Sequence, residues 1–142
     1  MPKMITYAVL LVLGLAAGSV SALGTRLLMA EHGGGGHGTA TTFVPTGQIL
    51  APMVFPDGRL AGYVTFDAQI EVPEGQSALV KGRLPVLLNA VNMRTYRTPL
   101  ASGPDGLIPS IDGFRRVLLD AAIETYGKSV VRKVAVTQAT PA

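Results

Sequence analysis

The sequence predicts an α+β domain, a small antiparallel sheet with two helices on one face (β-β-α-α-β), held behind one N-terminal hydrophobic segment. Three observations carry this expectation. Residues 4–24 contain no charged side chain. Residues 60–72 alternate between an apolar and a more polar set. Residues 84–96 and 110–126 place apolar side chains at helical spacing. Period two with a polar opposite face marks a half-buried antiparallel strand, and a period near 3.6 marks a helix with a buried stripe.

The head reads MITYAVLLVLGLAAGSVSALG. As a helix it would span roughly 31 Å, against a hydrocarbon core of roughly 30 Å. An uncleaved anchor needs that length, and the head has it. Lys3 and the N-terminal amine on one side, against Arg26 alone on the other, favour an N-terminus inside, with the rest of the chain across the membrane. A cleaved signal peptide fits the same residues through Lys3, the apolar stretch 5–16 and the small-residue site Val20-Ser21-Ala22. The anchor is the favoured reading. Within it Gly14, Gly18 and Ala22 recur every four residues, flanked by Ala17 and Ser21. Such a face lets a second helix approach closely, although small residues are also common in spans that meet only lipid.

Residues 1–30 thus form the anchor (or signal peptide) and its flank, and residues 31–42 a tether. Glu31 and His32, four glycines (33–36) and His37 precede a polar stretch, and because glycine has no side chain that could pack, the tether is expected to be flexible. Its histidines, without a fixed outer shell to orient them, predict a solvated linker and no metal site.

Residues 43–142 make the extracytoplasmic domain. The stretch 43–55 is apolar but carries Pro45 and Pro52, so it predicts an edge strand or an irregular lead-in. Pro56-Asp57-Gly58 is a turn, and Pro73-Glu74-Gly75 closes the alternating strand. Leu84, Leu87, Leu88 and Val91 predict a helix over 84–96 with Pro85 in its first turn, preceded by a short helix or strand at 77–82. Residues 97–109, rich in proline and glycine, predict a loop. Ser110 is the expected N-cap of a second helix carrying Ile111, Phe114, Val117, Leu118, Ala121 and Ala122, which Gly127 stops. Residues 130–138 predict a closing strand.

The chain has no cysteine, and both histidines lie in the tether. The folded part therefore lacks the partners that a serine, cysteine or threonine nucleophile ordinarily uses. Asp67 and Glu71, four apart on a strand, stand roughly 13 Å from each other, wider than paired glycosidase carboxylates. Asp120 and Glu124 share a helix face and serve its solvation. No enzyme activity, cofactor or metal is expected. A net charge of +3 is too small and dispersed to predict nucleic-acid binding. The basic groupings are Arg94 with Arg97, Arg115 with Arg116, and Lys128 with Arg132 and Lys133. They form either one patch facing lipid headgroups or an acidic partner, or a scattered solvated surface. Asn89 and Asn92, three apart on the first helix, are expected to make structural contacts to a loop or a neighbouring subunit.

Four segments, VTFDAQIEV (64–72), RLPVLLNAVN (83–92), IDGFRRVLLDAAIETYG (111–127) and VVRKVAVTQ (130–138), follow a single span and a linker. Taken in that order, the chain resembles the flagellar basal body-associated FliL family. The resemblance implies a bacterial inner-membrane, single-pass protein with a stomatin-like periplasmic domain. It also implies assembly into a homo-oligomeric ring, contact with flagellar stator or basal-body proteins, and an influence on motility. It brings no catalytic residues. A second reading is a secreted or membrane-tethered periplasmic binding module unrelated to flagella.

Overall fold

The structure, a computed structural model, describes residues 40–142, so the segment expected to be a membrane anchor, its small-residue stripe (Gly14, Ala17, Gly18, Ser21 and Ala22) and the two histidines of the expected tether lie outside the described residues. In chain order the elements are β1 (Thr41–Val54), β2 (Leu60–Pro73), α1 (Ser77–Gly82), α2 (Leu84–Thr95), β3 (Ala101–Ser102), β4 (Ile108–Pro109), α3 (Ile111–Tyr126) and β5 (Lys133–Pro141). A single 3₁₀ turn, Glu74–Gln76, leads from β2 into α1. The α+β class is as expected. Among the described residues there are three α-helices, the third being 77–82, expected as a short helix or strand and found as a helix before α2.

β1 and β2 form a long antiparallel hairpin, and β5 adds to the other side of β2, giving the order β1-β2-β5. At the hairpin turn Gly58 takes a φ of 86°, and the Phe55 amide donates to the Arg59 carbonyl at 2.9 Å. The alternation of β2 is realised as read: Val64, Phe66, Ala68, Ile70 and Val72 are all buried on the inner face. Among the described residues β1 has a single neighbour, so it is the expected edge strand, and its prolines sit there.

β1 is less regular than β2 for a physical reason. Pro45 pairs with Gln69 and Gly47 with Ala68, so Thr46 is an extra residue that forms a β-bulge. Gly47 supplies the positive φ of 74°. The bulge changes which residues face inward, from Val44 and Thr46 before it to Ile49, Ala51 and Met53 after it. The buried Thr46 hydroxyl donates to the Ala68 carbonyl at 3.0 Å, so its polar atom is satisfied. β5 has a similar irregularity, with Thr137 left over between the pairs Asp67–Gln138 and Ala68–Val136.

α1 and α2 lie against β1, and α3 lies against β5. Ser110 caps α3 as expected, its hydroxyl accepting from the Gly113 amide at 3.2 Å, and Gly127 ends the helix with a φ of 92°. The expected stripe is buried at Phe114, Val117, Leu118, Ala121 and Ala122. Phe114 reaches the middle of the sheet, where its ring stacks on that of Phe66.

Two boundaries differ from the sequence reading. Residues 97–109 are not wholly loop, because Ala101 pairs with Pro109 and Ser102 with Ile108 in a small hairpin. Gly106 sits at its tip beneath Phe55 and Ala61, in space that a side chain would occupy. The closing strand runs Lys133–Pro141 rather than 130–138. The Val130 and Val131 amides both donate to the Gly127 carbonyl in the turn after α3. The ladder therefore begins only where the Arg132 amide meets the Glu71 carbonyl at 2.9 Å, and it lasts until the Ala142 amide reaches the Tyr63 carbonyl.

Candidate interaction surfaces

The four arginines singled out by the sequence have different surroundings. Arg94, on α2, gives its guanidinium to the Glu124 carboxylate of α3, so this pair ties two helices together. Glu124 is thereby a structural partner as well as a solvated acid. Arg97 is exposed just beyond α2. Arg115 bonds Asp112 one turn earlier at 2.6 Å, and the Arg116 Nε reaches the Asp112 carbonyl at 3.4 Å. All these pairs are solvent-facing, where an ion pair contributes at most about 1 kcal/mol.

Arg115 also borders a groove of about 440 Å³ between α3 and the edge strand β5. α3 contributes Arg115 and Leu119, and the strand side is formed by residues 132–136, including Arg132 and Lys133. One member of the second basic grouping is thus brought beside two of the third. Among the described residues neither Arg132 nor Lys133 forms an ion pair. Leu119, Val134 and Val136 give the groove apolar walls, and its cations stand at one end of β5.

A second surface was not read from the sequence. α2 buries Leu87, Val91 and Thr95 on the sheet, yet its opposite side carries Val86 and Met93, seven residues apart, with Tyr96 one turn on. These three are 52%, 54% and 60% exposed, so roughly half of each apolar side chain meets solvent. α3 contrasts with this. Its outer side is Asp112, Arg115, Arg116, Asp120 and Glu124. An ordinary surface helix looks like α3, whereas the outer side of α2 exposes these three large apolar residues among the polar Asn89 and Asn92. The signal was present as the spacing of Val86 and Met93, masked by the neighbouring leucines. Asn89 and Asn92 are exposed on α2.

On the outer face of the sheet, Asp67 and Glu71 are both half-buried, and Glu71 accepts from the Thr41 hydroxyl at 2.7 Å. Among the described residues no group of histidine, aspartate or glutamate side chains is arranged to hold a metal ion, and no helix is long and apolar enough to cross a membrane. No family model matches the chain, and no curated protein matches it.

Proposed function

We propose that the chain is a membrane-anchored periplasmic scaffold, resembling the FliL family, whose outer domain assembles with copies of itself beside a motor or channel complex. The observation that carries this reading is the exposed apolar side of α2. Leaving Val86, Met93 and Tyr96 in water forfeits apolar burial that association would recover, at roughly 25 cal/mol per Å². The N-terminal segment, read as an anchor, keeps copies in one plane and raises their effective concentration through the tether. The small-residue face at Gly14, Gly18 and Ala22 offers a second contact, between anchors. The flagellar part of the proposal rests on the order of elements in the sequence, and the stator is the partner it names.

Crosslinking in native membranes tests the assembly. Met93→Glu with Val86→Glu removes the higher-order products if α2 is the contact, and Gly18→Leu removes only those that depend on the anchor. Products unchanged in both variants would reject self-assembly through these faces. Intact-mass measurement checks that residues 1–22 remain, since their loss rules out the anchor. A deletion strain that swims normally removes the flagellar role and leaves the scaffold reading with another complex.

A further inference from the structure

The groove between α3 and β5 combines three properties rarely found together on a solvated surface. The first is an unpaired strand edge. β5 bonds β2 on one side, and among the described residues no strand lies on the other. An antiparallel edge strand presents alternate N–H and C=O groups outward, a template for one more strand. The second is shape. α3 runs alongside that edge, so the ladder groups of residues 132–136 open into a groove of about 440 Å³ with an apolar wall at Leu119. The third is charge. Arg115, Arg132 and Lys133 border the groove, and among the described residues the only carboxylate ion-paired to any of them is Asp112, on Arg115. Glu71, which faces Lys133 across the sheet, bonds the Thr41 hydroxyl.

We propose that this groove binds a short, extended, acidic segment of a partner protein, which adds to β5 as a fourth strand. Residues 132–136 offer roughly 13–17 Å of strand, enough for four or five partner residues at about 3.3 Å each. Side chains alternate across a strand, so every second residue of the segment faces the groove: apolar residues fit against Leu119, Val134 and Val136, an acidic residue fits at the end beside Arg115 and Arg132, and the residues between face the side of Lys133. Main-chain hydrogen bonds supply the attachment, and the pockets and charges supply the selection. An acidic partner is favoured over a basic one because, among the described residues, Arg132 and Lys133 form no ion pair. A lone anion would satisfy the charges but would leave the strand edge open. This inference extends the scaffold reading with a surface distinct from the apolar side of α2.

The test uses the full chain in non-ionic detergent and a fluorescent, terminally blocked Val-Glu-Val-Glu-Glu peptide, whose last residue falls on the groove face with the two valines, followed by anisotropy. Saturable binding is expected, weakening as salt is raised because the cations are exposed. The Val-Lys-Val-Lys-Lys peptide should bind at least ten-fold more weakly. Backbone N-methylation separates strand addition from charge attraction. Methylating one alternate set of peptide nitrogens should abolish binding, while methylating the other set should leave it, since only one set faces β5. Arg115→Gln with Arg132→Gln should weaken binding at least ten-fold with unchanged circular dichroism, and Arg132→Glu alone should act in the same direction. Equal binding of both N-methylated peptides, or no saturation up to about 1 mM, at the weak end of specific recognition, overturns the proposal. So does a change in oligomer mass in peptide-free Arg132→Glu, because it would place a second copy in the groove. Met93→Glu separates the two readings. It should disrupt self-assembly and leave peptide binding intact, so either surface can fail without the other.

Discussion

The rings of Phe66 and Phe114 stack face to face, with centroids 3.8 Å apart and planes within 9° of parallel. Phe66 sits at the centre of β2, and Phe114 is in the first turn of α3, so this contact fixes the helix against the middle of the sheet. Both side chains are fully buried. Phe114→Ala should therefore cost about 3–5 kcal/mol, which is much of the stability of an ordinary domain. The double variant with Phe66→Ala should cost less than the sum of the two, the difference including about 0.5–1.5 kcal/mol for the ring pair. Urea titration followed by circular dichroism measures all three. Strict additivity would mean that each ring packs independently.

A second prediction concerns alkaline pH. The Tyr126 hydroxyl donates to the Val80 carbonyl at 3.1 Å, joining the end of α3 to α1. Burial pushes the Tyr126 phenol above its ordinary value, against the smaller opposing pull of the Arg83 cation. The folded state therefore holds this proton more tightly than the unfolded state. The resulting stability is complete below the unfolded pKa, near 10, and is lost as pH rises through the folded one. Tyr126→Phe should cost about 1 kcal/mol at neutral pH and flatten the alkaline decline. Parallel alkaline profiles for the two proteins would show that Tyr126 contributes nothing to it.

Gly113 gives a prediction whose sign opposes helix propensity. Alanine is favoured over glycine in a helix by about 1 kcal/mol. A Cβ at this position would stand 2.8 Å from the Ser110 Oγ and 3.2 Å from the Leu100 Cδ2. It would displace the hydroxyl that caps α3, and an N-cap contributes about 1 kcal/mol. Leu100 is fully buried, and its Cδ2 would have to give way by a few tenths of an ångström. Gly113→Ala should lower the urea midpoint, and a raised midpoint would show that the cap can move aside.

Gly58 and Gly106 separate backbone strain from crowding. Both have positive φ, 86° and 67° respectively. A Cβ on Gly58 meets nothing within 4 Å, whereas one on Gly106 collides with the Phe55 ring and comes within 2.8 Å of the Ala61 Cβ. Gly58→Ala should cost about 1–2 kcal/mol from conformation alone. Gly106→Ala should cost clearly more and should detach the β3–β4 hairpin from the β1–β2 turn. Thermal melts that rank the two variants equally would remove the crowding argument.

The legible parts of the fold are those where one period runs without interruption. β2 has no extra residue between Val64 and Val72, so its alternation in sequence is its alternation in space. α3 has a polar cap, a single stripe and a glycine stop, and each appears where the residues indicate. β1 was harder to read because the bulge at Thr46 reverses the parity of its inward residues midway, which looks like irregularity in a linear reading. The start of β5 was misplaced because the valines at 130 and 131, good strand formers, use their amides in a turn. The β3–β4 hairpin was hidden among prolines and glycines, and its pairing depends on Gly106 fitting under a ring contributed by distant residues. The basic groupings were visible as sequence neighbours, but the groove depends on Arg115 of α3 meeting Arg132 and Lys133 across space, which spacing alone does not encode.

The hairpin and the closing strand also set how the domain responds to force. Thr41 pairs with Pro73 at one end of β2, whereas Pro141 pairs with Val64 towards the other. β1 and β5 run in the same direction, on either side of a strand that runs oppositely. Tension between Thr41 and Ala142 along the sheet therefore pulls both ladders lengthwise, and many hydrogen bonds bear the load at once. Tension across the sheet would open the same bonds one after another. Since forced opening is governed by the unfolding barrier rather than by equilibrium stability, the domain should hold under a lengthwise pull and peel under a transverse one.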